Sequence, residues 1–426
     1  MSEHNQIVNI SIKDNEIIIE NLNHPKCVSD FIRGIQSCIR RGWTDIILRC
    51  NAEVIFPNAC VPIAGIIQYY KQQNIQFTFE FDKESYLNKC SFKDPFVYSD
   101  EDDLESVYAL PLDKIYCFNS GLQVAKLSQS FVNILSTLCE CEKGVLDSIN
   151  WCITEVMDNV LTHSGRQEGY VMAQYHPKTN HIAFCVYDYG MGIFNSLKDS
   201  KHYPRYEIDA LTLAIQEGVG DGKGQGNGLY GLYEAIQKNK GILSITSGGS
   251  SIMLTSAGEL KKYEKVPKLS DISKQTIVDF QINLDKEIDF KSIFASISSS
   301  YEAFDIRIDE MLSEEDEFIH YDVYANSQGT GTREAGSRLR NDVINTLRRE
   351  NRIIILDFKQ VHTVSSSFID EFIGKLVIKM GFIKFNRIVK IENMNESVAF
   401  LCERSLYMRI SEEWENRKIQ NDKEIE

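Results

Sequence analysis

The sequence has no long apolar run and little proline. Only 8 of its 426 residues are proline. Its longest apolar runs are short, such as RIIILDF at 352–358, whereas roughly 20 apolar residues are needed to span a bilayer. The first residues, MSEHNQIVNI, are polar and lack the apolar core of a signal peptide. We therefore expect a cytoplasmic protein without membrane contact.

The sequence also has few clustered basic residues. It carries 46 Lys and Arg against 61 Asp and Glu, a formal net charge of -15. Its basic clusters are no longer than RR or KK. Nucleic-acid phosphates repel a chain of this charge unless it holds a local basic patch. A direct nucleic-acid partner is therefore not expected.

Cysteine is present, but not in the spacing of a metal site. None of the 11 cysteines forms a CxxC pair, and Cys139 and Cys141 are the closest two in sequence. A structural zinc site needs four ligands, which are commonly paired at short spacing. The pattern predicts reduced, buried thiols.

Three blocks divide the chain and predict an α/β protein. Residues 1–90 have the pattern strand pair, helix, strand, helix, strand. An acidic, irregular stretch separates them from residues 91–285, where helices precede a series of strands; this pattern predicts a central two-layer α/β sandwich with a mixed sheet. After the acidic SEEDE at 313–317, residues 315–426 alternate strands and helices. Each flanking block predicts a smaller α/β module.

One predicted helix of the central block carries a carboxylate and a carboxamide one turn apart. Glu155 and Asn159 stand about 40° apart at the edge of its apolar stripe. An amide oxygen can ligate Mg²⁺, and a carboxylate can orient or deprotonate a nucleophile. Taken alone, the pair is more typical of a solvated helix edge.

A second motif closes the apolar strand HIAFCVY. It is Asp188-Tyr-Gly190-Met-Gly192. An acidic side chain at the end of a buried strand needs a hydrogen-bond donor, and an adenine amino group is one such donor. The two glycines permit a positive φ and a close approach of the backbone to a ligand.

A third motif is the run GVGDGKGQGNGLYG at 218–231, in which seven of fourteen residues are glycine. Because the run leads directly into the helical pattern LYGLYEAIQ, it indicates an anion cradle at a helix start. The P-loop pattern GxxxxGK[ST] is missing. A helical stretch, EIDALTLAIQEG, precedes the glycines where a dinucleotide-binding fingerprint would need a strand.

In this order and spacing, the three motifs resemble the ATP-binding domain of the gyrase, heat-shock chaperone, histidine kinase and MutL superfamily, the Bergerat fold. The resemblance covers roughly residues 115–285. It implies that Glu155 is the catalytic or water-orienting base and that Asn159 is the Mg²⁺ ligand. It implies an adenine contact at Asp188, in a pocket shaped by Gly190 and Gly192.

The same resemblance implies ATP and Mg²⁺ as cofactors, and a homodimer. It matches Gly224, Gly226 and Gly228 to the second glycine box, at the end of a mobile lid at about 193–231. It matches Thr276 to a threonine near the last strand, although Gln275 stands where a glycine is usual.

The position of the histidines bears on the branch of this superfamily. None of the eight lies in an HExxxP-like context upstream of the ATP-binding block, so histidine autophosphorylation is not expected. His163 is expected to pack beside the site. A glutamate one turn before the asparagine resembles the true ATPases and the bacterial anti-sigma serine kinases.

The third block resembles a STAS-type domain, the fold of the anti-sigma antagonists. The resemblance rests on the strand RIIILDF, the turn KQVHTV, Ser365 to Ser367 and the helix FIDEFIGKL. That family places a phosphorylatable serine at this turn, and Ser366 matches it best. The usual neighbouring Asp and Gly are absent, and Phe368 occupies the glycine position. The alternative is that these serines cap the helix.

The first block, with FPNACVP at the corresponding turn, also looks STAS-like but offers no hydroxyl group there. We therefore expect an ATP-binding regulator that uses binding or hydrolysis of Mg-ATP to control flanking STAS-like modules, which would contact a protein partner. Two alternatives remain open. One is a serine kinase that phosphorylates Ser366 or a partner, and the other is a nucleotide sensor that only binds.

Overall fold

The computed structural model describes residues 9–97, 110–166, 168–221, 227–266, 275–289, 293, 318–327, 329–350 and 352–425, with side chains up to residue 414. These residues form two units. The first comprises Met1–Val132 and Asp147–Tyr301, and the second comprises Asn133–Leu146 and Glu302–Glu426. No described helix is both long enough and apolar enough to cross a membrane.

The chain begins with a small α/β arrangement in the predicted order. Its elements are β1 (Ile10–Lys13), β2 (Glu16–Ile19), α1 (Lys26–Arg40), β3 (Asp45–Cys50), α2 (Pro57–Lys71) and β4 (Gln76–Glu80). The strands lie in sequence order in one sheet. The β1–β2 pair is antiparallel, whereas β2–β3 and β3–β4 are parallel.

Helix α2 differs from the sequence expectation, which placed Pro57 and Pro62 around a turn. Pro57 begins the helix, and Pro62 lies inside it. A proline at the first helical position loses no hydrogen bond, whereas one at Pro62 removes the bond to the carbonyl of Asn58. Buried apolar contacts along most of α2 hold it in place nonetheless.

The rest of the first unit continues through helices and strands, although the helical residues 133–138 and 145–146 belong to the second unit. In order these are α3 (Tyr86–Lys89), β5 (Phe96–Val97), β6 (Tyr116–Phe118), α4 (Gly121–Leu138), α5 (Val145–His163), β7 (Gly169–His176), β8 (His181–Asp188), α6 (Gly192–Leu197), α7 (Glu207–Ala214), α8 (Gly228–Asn239), β9 (Ile242–Ser247), β10 (Ser250–Leu254), β11 (Leu260–Tyr263) and β12 (Thr276–Asn283). Strands β5, β6 and β11 were not predicted from the sequence, because they are short or carry little apolar pattern.

Eight of these strands form one mixed sheet in the order β11-β10-β9-β12-β8-β7-β6-β5. Side chains of β8 alternate between its two faces. Phe184 meets Phe131 of α4 at 5.9 Å between ring centroids. On the other face, Tyr187 lies against Gly65 of α2, where an added Cβ would come within 2.4 Å of the tyrosine ring.

Helix α2 therefore lies between two sheets, and its core joins residues 17–92 with β7 and β8. The sequence predicted a two-layer sandwich, but this sheet is covered on both faces where α2 packs on it. The predicted α/β class is confirmed. The division into domains at 1–90, 91–285 and 315–426 stays a prediction.

The second unit is built around a three-stranded parallel sheet, β13-β14-β15. Its elements are β13 (Phe318–Asp322), α9 (Val323–Asn326), α10 (Arg333–Arg349), β14 (Ile353–Asp357), α11 (Ser366–Ile369), a π-helical turn (Asp370–Gly374), α12 (Lys375–Met380), α13 (Phe382–Ile388), β15 (Val389–Glu392) and α14 (Glu396–Ile425). Strand β13 ends at Asp322, because the Asp322 side chain accepts the amide hydrogen of Ala325 and starts a helical turn.

Buried polar groups join residues 133–146 to α10 within this unit. Asp342 accepts hydrogen bonds from the hydroxyls of Ser136, at 2.8 Å, and Tyr321, at 2.7 Å. The amide nitrogen of Asn345 donates to the carbonyls of Ser136 and Cys139, both at 2.8 Å. These bonds satisfy side chains that would otherwise be costly to bury.

Candidate functional site

A cavity of about 460 Å³ lies within the first unit. It is bounded by α5, the ends of β8 and β12, α6 and the start of α8. Six of the residues singled out from the sequence line it: Glu155, Asn159, Asp188, Gly192, Gly228 and Thr276. The structure therefore brings together groups that lie up to 121 positions apart in the chain.

Asp188 forms a buried polar end of this cavity. Strand β12 runs antiparallel to β8 and places Thr276 opposite Asp188. The Asp188 carboxylate accepts the amide hydrogen of Gly190 at 2.7 Å. Burial raises the pKa of Asp188 to about 7, although the bonds from Gly190 and Thr276 act to lower it. A buried carboxylate with remaining acceptor capacity can bind a ligand amino group.

The two glycines after Asp188 have different structural roles. Gly192 lines the cavity and has φ +75°, a conformation that suits glycine. Gly190 is not among the lining residues. An added Cβ there would come within 2.3 Å of the Ser164 carbonyl oxygen, so Gly190 allows this turn to pack against the end of α5.

Ser247 supports Thr276 and was not identified from the sequence. Its hydroxyl lies 3.3 Å from that of Thr276 and accepts the amide hydrogen of Ile193 at 2.9 Å. It thereby connects β9, β12 and α6 beside the cavity. No motif marks this serine, because the strand pairing alone brings it there.

Glu155 and Asn159 lie together beneath the start of α8. A Cβ added to Gly228 would be 2.6 Å from Glu155 Oε2 and 3.2 Å from Asn159 Nδ2. Only glycine permits this approach of the helix. Burial, with a smaller contribution from Asp158, raises the pKa of Glu155 to about 7. A carboxyl group with that pKa can exchange a proton near neutral pH.

The N-terminus of α8 opens onto the same cavity through Asn227, Gly228 and Leu229. The Asn227 side chain does not cap the helix. Instead, it accepts the amide hydrogen of Gly218 at 2.8 Å. The first amide groups of a helix without such a cap can bind an anion, and the helix dipole favours the same charge. Gly224 and Gly226 lie outside the described residues.

His163 lies one turn beyond Asn159 and also lines the cavity. Its Nδ1 is 2.8 Å from Asp221 Oδ2, and the Ser196 hydroxyl donates to the same oxygen at 3.2 Å. The sequence placed His163 beside the site, but neither Asp221 nor Ser196 was identified, since nothing in their local pattern links them to α5.

The charge of the cavity is mainly negative. Four carboxyl groups line it: Glu155, Asp158, Asp188 and Asp221. Its described lining includes no Lys or Arg. Across the described chain, no group of three or more His, Cys, Asp or Glu side chains is arranged to hold a metal ion.

In the second unit, the three adjacent serines have distinct environments. Ser365 caps α11 by accepting the amide hydrogen of Phe368 at 3.0 Å, and its hydroxyl lies 3.0 Å from that of Ser367. Ser366 is exposed. The alternative prediction of a helix cap is therefore correct for Ser365, whereas the hydroxyl of Ser366 is accessible.

Comparison with known families identifies one segment of this chain. Residues 335–399 match the family described as a STAS-like domain of unknown function (DUF4325). No curated protein and no solved structure matches the chain. The STAS-like resemblance predicted for the C-terminal block is thus supported over these residues, which run from α10 into α14.

Proposed function

We propose that this chain is a cytoplasmic regulator that binds Mg-ATP in the cavity of the first unit and turns it over slowly. The observation that carries the proposal is the position of Glu155 and Asn159 directly beneath the uncapped start of α8. A carboxyl group that can exchange a proton, an amide oxygen that can ligate a metal ion and a helix end that can bind an anion then face the same cavity. A cavity of this size lies in the range of roughly 300–1,000 Å³ that is usual for small-molecule sites.

Each residue has a role in this proposal. The amino group of adenine donates to Asp188, and Thr276 and Gly190 hold that carboxylate in place. The amide groups at the start of α8 bind the phosphates. Asn159 supplies a protein oxygen to Mg²⁺, whose other ligands would be phosphate oxygens and water. Mg²⁺ would supply charge neutralisation for phosphoryl transfer.

Glu155 would orient or deprotonate the nucleophile. Its pKa of about 7 allows it to accept a proton at neutral pH. If the nucleophile is water, the chain is an ATPase. The proposal favours this outcome because Glu155 stands next to both Asn159 and the helix end, where the terminal phosphate would lie.

A regulatory role is proposed because the cavity and the first STAS-like module share a wall. Asp188 faces the cavity, whereas the preceding residue, Tyr187, faces α2. A change in the position of β8 on nucleotide binding would therefore reach the module through its apolar core. The module in the second unit would bind a protein partner.

A serine kinase is the second candidate, and the exposure of Ser366 favours it. In that case Glu155 would deprotonate a serine hydroxyl in place of water. The acceptor would be Ser366 of another copy of the chain or a serine of a STAS-like partner.

The test follows the label from γ-labelled Mg-ATP incubated with the full-length protein. Free labelled phosphate that disappears in Glu155→Gln, but not in the exposed control Glu287→Gln, supports the ATPase. Label retained on protein and lost in Ser366→Ala supports the kinase. Intact ATP with measurable binding indicates a sensor or a kinase without its partner. If saturating Mg-ATP neither binds nor shifts the melting temperature, the proposal is wrong, since a ligand at 100 times its Kd adds about 2.7 kcal/mol of stability.

A further inference from the structure

The first unit contains a second cavity, of about 610 Å³, beside the turn that follows Asp188. It lies where α2, β6, α5 and β8 end. The described residues that line it are Gln72, Asn119, Gly165, Arg166, Glu168 and Tyr189. None of them lines the cavity that holds Glu155 and Asn159. The second cavity is therefore a separate place at which a ligand can bind.

Three donors hold Glu168 at this second cavity. Its Oε1 accepts the hydroxyl hydrogens of Tyr189 and, at 3.2 Å, of Tyr170. The side-chain amide of Gln72 donates to the same oxygen at 3.3 Å. The other carboxylate oxygen, Oε2, has no hydrogen-bond partner among the described residues. Glu168 therefore keeps one oriented acceptor for a cationic group of a ligand.

Arg166 is held in the same cavity by an aromatic ring. The central carbon of its guanidinium group lies 5.2 Å from the centroid of the Tyr189 ring, which is a cation–π contact. In the described part of the chain, Arg166 forms no ion pair, either with Glu168 or with another carboxylate. Its N–H groups are thus available for two parallel hydrogen bonds to a carboxylate of a ligand.

We propose that the second cavity binds a free amino acid, whose carboxylate pairs with Arg166 and whose ammonium group pairs with Oε2 of Glu168. A ligand with only an anionic group would be repelled by Glu168, and one with only a cationic group would be repelled by Arg166. A zwitterion satisfies both side chains and brings no net charge. The amides of Gln72 and Asn119 line the same cavity, so the ligand's own side chain is expected to be short or polar.

The position of the second cavity predicts that its ligand acts on the nucleotide site. Tyr189 lines the second cavity, whereas the preceding Asp188 lines the first. The two turns around them pack together: the amide of Met191 donates to the carbonyl of Ser164 at 2.7 Å, and a Cβ on Gly165 would come within 2.9 Å of the Met191 side chain. We therefore expect the amino acid to change the affinity for Mg-ATP. This effector role rests on the proposed function, whereas the binding of the amino acid does not.

The test is calorimetric titration of the full-length protein, without nucleotide, with glycine, serine, glutamine and glutamate. Acetate and methylamine are the matched control probes, because each carries one of the two charges. We expect at least one of the four amino acids to bind. Acetate and methylamine should bind about tenfold more weakly or less, since each forms only one of the two charge-assisted contacts.

Three variants assign the binding to this cavity. Arg166→Gln removes the cation at an exposed position and should weaken binding of the amino acid about tenfold or more. Glu168→Gln keeps an oxygen for its three donors but removes the charge, and should weaken binding in the same way. Arg41→Gln replaces an exposed arginine outside the cavity and should leave binding unchanged. The melting temperature of each variant without ligand shows that it is folded, and Arg166→Gln decides the result if Glu168→Gln is not.

Several results would overturn the inference. The site is wrong if none of the four amino acids binds, or if Arg166→Gln binds the amino acid as tightly as the native protein. The choice of a zwitterion is wrong if acetate binds as tightly as the amino acid.

A second titration, with Mg-ATP in the presence and absence of the amino acid, measures the coupling, for which we expect a change in ATP affinity of about fivefold or more. An unchanged ATP affinity would overturn the effector role. A protein that binds the amino acid but no Mg-ATP would overturn the proposed function and leave the second site in place.

Discussion

Because the carboxyl group of Asp279 is buried, we expect that replacing Asp279 with asparagine stabilises the protein at alkaline pH. Asp279 lies on β12, on the face covered by α2, and is 7% exposed. The side-chain amide of Asn58 donates a hydrogen bond to it at 3.4 Å. Burial raises the pKa of Asp279 to about 7 from the ordinary 3.8, and the bond from Asn58 only partly opposes this.

The direction in which stability changes with pH follows from proton binding. Between pH 4 and 7 the folded state holds a proton on Asp279 that the unfolded state has lost, so stability falls as the pH rises through this window. A shift of about three units corresponds to about 4 kcal/mol at most, at 1.36 kcal/mol per unit. Asp279→Asn keeps the shape of the side chain and an oxygen that accepts the hydrogen bond from Asn58, but it removes the negative charge. It should therefore raise the free energy of unfolding by about 2–4 kcal/mol at pH 8 and by much less at pH 4.5.

Urea denaturation at both pH values measures this difference, with Asp285→Asn on the exposed turn after β12 as the matched control. The control should leave the pH dependence of stability unchanged. If Asp279→Asn shows the same pH dependence as the native protein, Asp279 is not buried against α2, and the packing of α2 on the large sheet is not as described.

Two further predictions concern packing and capping. Gly65→Ala should lower the urea midpoint, because the added Cβ would lie 2.4 Å from the ring of Tyr187. Such overpacking costs about 1–3 kcal/mol, which exceeds the roughly 1 kcal/mol that alanine gains over glycine in a helix. A rise in the midpoint would contradict this. Ser365→Ala should destabilise the second unit by about 0.5–2 kcal/mol through loss of its helix cap. Ser366→Ala should change the melting temperature little. Equal effects of the two variants would refute the assignment of the cap to Ser365.

The local sequence pattern was sufficient to predict most helices and strands and one part of the candidate site. The apolar run of β8 and its terminal Asp188 were predictable, because a strand that is buried on both faces is apolar along its length. The helix with Glu155 and Asn159 was predictable from its 3.6-residue period. The structure then placed these residues in one cavity with Thr276, as the order of motifs suggested.

Other features depend on contacts between distant segments. Asp221 meets His163 across 58 positions, and Ser247 meets Thr276 only through the pairing of β9 with β12. The packing of α2 on the large sheet was also missed. Its apolar residues lie on all sides of the helix, and such a pattern shows that a helix is buried without identifying what covers it.

The composition of the second unit has a consequence for synthesis on the ribosome. Residues 133–146 belong to this unit, yet the rest of it begins only at residue 302. At about 5–20 residues per second, the carbonyl acceptors of Ser136 and Cys139 leave the ribosome roughly 10–40 s before Asn345 can bind them. The second unit therefore completes its fold only after α10 has been synthesised. A nascent chain that stops before α10 leaves these acceptors without their native donor.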